Sequence, residues 1–339
     1  MKIVWDWSLK SETERVVDAS IGISNGFYRL NHFLPLPWSP SCRYLVSGVH
    51  LPVLPYATIP SYWSRVARLS NADYPLQIPG SVRTTMQEFI GSLALTAPAT
   101  DRLAELCVAI MPAVSAWLKQ FVPGVSLPTQ LTIHPTYFGT TGSFNNLPAS
   151  HHMVIYLRID QGIHTLVECF LTSILRQTAI QDLSADWAET EFLVDWLLTK
   201  SSLIESSPPS LSWRGTIAST RSRFPASLIS ESTRFLKSIG APLNEKHAFS
   251  VDDNDLYFGK TLLTNLTARE HAILQKLVVC APSPVTTDEL ADILFPNPDK
   301  FSLDALAKAI ERLRTKFAAL GISPSYLATA SGTGYYLRN

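Results

Sequence analysis

The chain has 339 residues, 46% hydrophobic and 17% charged, with 28 Lys and Arg against 28 Asp and Glu, for a formal net charge of +0. That length accommodates two or three domains, and the hydrophobic fraction excludes a chain that is mainly disordered. Zero net charge excludes a uniformly basic nucleic-acid coat protein, though not a small basic module within a neutral chain.

Residues 1–75 are rich in Trp, Tyr and Pro (LPLPWSP, HLPVLPYATIP) and read as loops and short extended pieces. The first residues, MKIVWDWSLK, lack the apolar core of a signal peptide. Cys42, Cys107, Cys169 and Cys280 lie far apart and form no CxxC, so reduced thiols and a cytoplasmic location are expected. The longest uncharged run, residues 120–157, is broken by Pro123, Pro128, Pro135, Gly139 and Gly142 and is no membrane helix. The spacing predicts helices over 80–97 and 101–121, the second with Leu103, Leu106, Ile110, Val114 and Leu118 on one face. A strand from Leu131 enters a Gly/Asn-rich turn, and His152–Asp160 is a second strand. Helices follow over 163–178 and 186–199.

Eleven serines between 201 and 232, with Pro208-Pro209, mark a linker whose second half is helical near 226–239. The acidic run Asp252-Asp253-Asn254-Asp255 precedes the last domain. The expected organisation is a body over 1–200, a linker over 201–254 and a C-terminal domain over 255–339. The first 200 residues are read as an α+β sensor or dimerisation unit.

The C-terminal part is the most legible. Leu256–Leu263 reads as a hairpin or strand. Thr267-Ala-Arg-Glu270 and Thr286-Thr-Asp-Glu289 are capping boxes, each opening a helix. Ser302 caps a third helix that Gly321 closes, with Leu306, Ile310, Leu313 and Phe317 facing the core. Strand, tight turn and strand follow over 326–337. Helix, short helix, basic helix, hairpin is the order of a winged helix.

Three motifs in that order are Leu266-Thr267-Ala268-Arg269-Glu270, Ile310-Glu311-Arg312-Leu313-Arg314-Thr315-Lys316 and Thr329-Ala330-Ser331-Gly332-Thr333-Gly334-Tyr335-Tyr336-Leu337. Through them the tail resembles the OmpR/PhoB-type effector domain of response regulators. The resemblance implies a double-stranded DNA partner, with Lys308, Arg312, Thr315 and Lys316 facing DNA. It also implies that Arg314, nearer the packed face, meets phosphate or a carboxylate, and that Ser331 and Thr333 lie in the wing. The sequence departs from the family in lacking basic residues at Ser331 and Ala328. From Asp255 to Asn339 nine basic residues face eight acidic ones, so one module alone should bind DNA weakly and a homodimer is expected. No early acidic pair follows a hydrophobic strand, so no phosphoacceptor receiver is expected.

The central segment carries a second pattern: strand, Gly-rich turn, strand, a helix with Glu168, and a helix with Glu191 and Asp195. It resembles a zincin metalloprotease of the Glu-ligand type that has lost its histidines. Where such enzymes have H-E-x-x-H, this chain has Val167-Glu168-Cys169-Phe170-Leu171. The resemblance implies a degenerate scaffold with vestigial Glu168, Glu191 and Asp195 and no cofactor. His164 and Glu168, four apart, with Glu191, are the weak metal candidates. The fold expected is thus α+β and multidomain: a degenerate zincin-like body followed by a C-terminal winged helix-turn-helix domain. The functional expectation is a DNA-binding transcriptional regulator whose body binds a small molecule or protein. Two other readings stay open: a metal-dependent peptidase with a rebuilt site, and a scaffold whose winged helix binds protein.

Overall fold

Residue alternation along two strands determines which helices cover which face of the body. The computed structural model describes residues 1–69, 75–122, 124–147, 150–183, 187–203, 224–242, 249–259, 261–295, 302–330 and 332–338. Strand β1 (Lys2–Trp5) leads into helix α1 (Leu9–Ser24). Ser8 opens that helix: its hydroxyl accepts from the Ser11 amide at 3.1 Å, and the Ser11 hydroxyl accepts from the Ser8 amide at 3.0 Å. Next come α2 (Phe27–Leu30), the parallel strands β2 (Leu34–Trp38) and β3 (Gly48–Pro52), then α3 (Tyr62–Val66), α4 (Gly80–Gly91) and α5 (Asp101–Phe121). The body continues through β4 (Gln130–Thr136), β5 (Gly142–Leu147), β6 (His152–Arg158), α6 (Ile163–Leu183), α7 (Trp187–Lys200) and α8 (Ala226–Ser238). The C-terminal part holds β7 (Phe249–Asp252), β8 (Asp255–Phe258), β9 (Thr261–Leu262), α9 (Ala268–Cys280), β10 (Val285–Thr286), α10 (Thr287–Leu294), α11 (Leu303–Ala319), β11 (Leu327–Ala330) and β12 (Gly334–Leu337). The architecture is α+β.

The body sheet has the order β1-β4-β6-β5, with β5 antiparallel to β6 and the other pairs parallel. Leu131 and Ile133 of β4 and Met153, Ile155 and Leu157 of β6 point to one face, where α5, α6 and α7 bury them. The alternate residues Thr132, His134, Thr136, Tyr156 and Arg158 are also buried, so the second face is polar. Helix α1 supplies it with Glu12, Glu14 and Arg15. Its remaining surface, with Val16, Val17, Ile21 and Ile23, packs with β3, α3, α4 and α8 in a second core.

Four expectations are corrected. The N-terminal stretch read as loops contains the sixteen-residue α1. Its buried charges break the apolar period that would have revealed it. The Gly/Asn-rich segment read as a turn contains β5, the antiparallel edge of the sheet. The helix assigned to the linker packs into the N-terminal core through Phe235 and Ile239, and the Trp63 indole donates to the Ile239 carbonyl at 3.1 Å. The acidic run expected to precede the last domain forms the turn of the β7–β8 hairpin, with Asp253 and Asn254 in the left-handed turn conformation. Phe249 therefore already belongs to the C-terminal core, upstream of the expected boundary at 255. The serine-rich stretch 204–223 lies outside the described residues.

Candidate nucleic-acid interface

The helices of the C-terminal domain start where their capping residues dictate. The Glu270 amide donates to the Thr267 hydroxyl at 3.3 Å, and the Glu270 carboxylate accepts from the Thr267 amide at 2.8 Å. Thr286 and Glu289 repeat this at the start of α10, and Ser302 accepts from the Ala305 amide at 3.3 Å at the start of α11. Leu306, Ala309, Ile310, Leu313 and Phe317 are the buried face of α11, packed with Ile273, Leu274 and Leu277 of α9. Phe249, Phe258, Phe317 and Tyr326 form an aromatic cluster that joins the β7-β8-β9 sheet to the helices. Strands β11 and β12 pair antiparallel, and β10 completes that sheet. Gly334 is required where β12 passes β10: a Cβ there would stand 2.0 Å from the Val285 carbonyl oxygen.

The opposite face of α11 is open and mixed in charge: Asp304, Lys308, Glu311, Arg312 and Thr315 are exposed. Lys308 pairs with Asp304 at 2.7 Å, and the Thr315 hydroxyl donates to the Glu311 carbonyl at 2.9 Å. Arg312 is 60% exposed, with its Nε 3.5 Å from Glu270. Lys316 lies closer in: its ammonium donates to the Glu270 carboxylate and to the Asn265 carbonyl, both at 2.5 Å. Burial raises the Glu270 carboxyl, but the Lys316 hydrogen bond and the two Thr267 donors outweigh it and hold it below the ordinary value. Arg314 turns to the wing, donating to the Leu327 carbonyl and the Thr329 hydroxyl, each at 3.1 Å, with Glu311 at 3.5 Å. Thr333 is exposed at the hairpin tip, where its carbonyl accepts from the Thr287 amide at 3.0 Å. Ser331 lies outside the described residues. Of the basic candidates, Lys308 and Arg312 are therefore presented outward, while Arg314 and Lys316 are held by the domain itself.

The central candidates are arranged differently. Val167 and Leu171, at the two positions a zincin gives to histidine, are fully buried in the apolar core beneath the sheet. That helix face does not fit a zinc ion. Glu168 and Glu191 both act on Cys169, whose thiol burial and these carboxylates push far above its ordinary value. Glu191 is buried, while Glu168, His164 and Asp195 are partly exposed. Among the described residues no group of three His, Cys, Asp or Glu side chains is placed to hold a metal.

The buried ionic network on the other face has no local signature in the chain, because its members lie far apart in sequence. Arg15 donates to Asp18 at 2.6 Å, to Thr140 and Ser143 at 2.8 Å, and to the Phe138 carbonyl at 3.3 Å. Glu12 accepts from Thr136 at 2.6 Å, the Trp7 indole at 2.9 Å and the Tyr137 amide at 3.1 Å. The Tyr156 hydroxyl donates to Glu14 at 3.0 Å. The Gly139-Thr-Thr-Gly142 loop thus wraps a guanidinium: a Cβ at Gly139 would stand 2.2 Å from Arg15 Nε.

The C-terminal domain is docked on the body. The Ser323 amide donates to the Asn25 carbonyl at 3.1 Å, Arg29 donates to the Tyr326 hydroxyl and lies over its ring, and Arg338 reaches the Leu30 carbonyl at 3.4 Å. This contact uses the turn after α11 and leaves the exposed side chains of that helix outside it.

A three-helix unit with its second and third helices joined across a short connection, flanked by a small sheet and closed by a β-hairpin, is a winged helix. It is of the OmpR/PhoB type: residues 260–337 match the family model described as "Transcriptional regulatory protein, C terminal". No curated protein and no solved structure matches the chain. The zincin resemblance of residues 131–199 rests on the sequence alone.

Proposed function

We propose that this protein is a cytoplasmic DNA-binding transcriptional regulator. Its winged helix would read double-stranded DNA, and its body would serve as the sensor or dimerisation unit. The observation that carries the reading is the family match over 260–337, on a domain whose third helix leaves Lys308, Arg312 and Thr315 exposed. A helix of that kind enters the major groove, where Arg pairs with guanine edges and Lys with phosphate. Arg312 is the base reader in this reading. Lys308 contacts phosphate after releasing Asp304, and Thr333 approaches the backbone from the wing. Lys316 and Arg314 act by positioning the helix. The near-neutral domain neutralises few phosphates, so two copies acting together supply the affinity.

The body would be a sensor or dimerisation unit built on a degenerate zincin-like scaffold, with Glu168, Glu191 and Asp195 as structural acids. The experiment is a mobility-shift assay of the full chain on genomic fragments across a salt series. Binding that weakens steeply with salt and is reduced by Arg312→Ala supports the reading. An absence of binding at low salt would remove it.

A further inference from the structure

Helix α5 is amphipathic in an unusual way. Ile110, Val114 and Leu118 are buried against the sheet, yet only 33% of the most apolar stretch of the helix is buried. The outward face begins at Glu105 and ends at Lys119, and between them it shows Val108, Ala109, Pro112 and Ala116, all exposed. From Leu106 to Leu118 there is no charged residue. A helix face turned to water ordinarily carries polar residues at these positions. Val108 is 62% exposed. Neither Glu105 nor Lys119 makes an ion pair within the described residues.

We propose that this face is the seam of an antiparallel homodimer in which Glu105 of one copy pairs with Lys119 of the other. The inference rests on the reading of the body as a dimerisation unit and names its surface. In an antiparallel pair related by a two-fold axis, facing residues have sequence numbers with a constant sum. Glu105 opposite Lys119 places the axis at Pro112. The same register sets Val108 opposite Ala116, a larger side chain against a smaller one. Ala109, Pro112 and Ala116 let the helices approach to about 8 Å, the short end of the usual range. The surface is thus self-complementary in charge and in shape, as an isologous contact requires. The two symmetry-related ion pairs set register and direction, and the apolar strip between them supplies affinity. A parallel pairing would put Glu105 against Glu105 and Lys119 against Lys119. The charge order therefore selects the antiparallel arrangement.

The test is sedimentation of the full chain at low salt. Wild type is expected to be dimeric. Glu105→Lys and Lys119→Glu are each expected to weaken the dimer by roughly tenfold or more, because each places like charges together twice. Mixing the two variants is expected to restore the dimer, since every pair in the mixed species is again opposite in sign. Circular dichroism melts of both variants, unchanged from wild type, show that folding is not the cause. A wild type that stays monomeric, single variants that stay dimeric, or a mixture that stays monomeric would each overturn the proposal. So would flotation of wild type with phosphatidylcholine vesicles that Val108→Asp abolishes, since the strip would then be a membrane contact. Salt-dependent DNA binding is read separately. A chain that dimerises as described yet binds no DNA removes the regulator reading and leaves the seam standing.

Discussion

Lys316 of α11 and Glu270 of α9 stand 2.5 Å apart, with the Glu270 side chain 4% exposed. The same carboxylate completes the Thr267 capping box and lies 3.5 Å from Arg312. One buried charge thus ties the start of the first helix to the basic end of the third. The spatial relation between those helices is what a groove-reading domain must hold constant.

Lys316→Ala is expected to lower the stability of the winged helix by about 1–3 kcal/mol, since it strips a buried carboxylate of its charged donor. Thermal melts of the full chain followed by circular dichroism check this. A melt within ~0.5 kcal/mol of wild type would show that Lys316 has no positioning role.

Arg312→Ala is expected to behave in the opposite way. The side chain is 60% exposed, so the melt should hold within ~0.5 kcal/mol. DNA affinity should fall by about 1–3 kcal/mol, with relaxed preference at one base position. Titration of wild type and variant on the same fragment at a single salt concentration reads both effects.

Acid should weaken the two domains over different ranges. His50 is buried, and its Nε2 accepts from the Leu45 amide at 3.2 Å. Burial, then the nearby Arg158, lower its pKa from 6.5 to about 4. A depressed histidine contributes stability that is present above 6.5 and lost as pH falls through about 4, on the order of 3 kcal/mol. Glu270 is depressed below 4.5, so its contribution is lost only below that pH. Glu12 and Asp18 act with the opposite sign, because burial raises both carboxyls above their ordinary values. Melts between pH 7 and 4 of wild type and of His50→Gln check the body: the variant should show a flatter pH dependence across that window.

Gly139→Ala is expected to destabilise the body by about 2 kcal/mol or more. The residue sits at φ +85, and the added Cβ would meet the Arg15 guanidinium at 2.2 Å. Urea denaturation monitored by tryptophan fluorescence measures it. Gly162→Ala, where nothing lies within 4 Å, is the control and should change little.

Arg29→Ala removes the charged donor to the Tyr326 hydroxyl. The expected cost is about 1–2 kcal/mol of docking between body and winged helix. Hydrogen exchange should rise at residues 25–30 and 321–326 together while the helices of each domain stay protected. Unchanged exchange at both segments would show that the Asn25–Ser323 and Leu30–Arg338 bonds suffice.

The winged helix was legible because its information is local. Capping boxes, apolar spacing on α11 and the Gly334 hairpin each act within a few residues, and each determines its element wherever the chain places it. Sequence alone therefore determined the order of helices and wing, the buried face of α11 and the outward direction of Arg312. It also determined β6 and the helices around it, whose period is regular.

Tertiary structure decided the rest. Helix α1 is hidden from a periodicity reading because Glu12, Glu14 and Arg15 face inward, toward partners more than a hundred residues away. Helix α8 follows a serine-rich run, and only the surface offered by β2 and the neighbours of Ile239 makes it part of the body core. Lys316 and Arg312 share a sequence motif, but only the position of Glu270 in space separates a held ammonium from an open guanidinium. An ionic partner is selected by three-dimensional proximity and by desolvation, and neither quantity exists until the chain has folded.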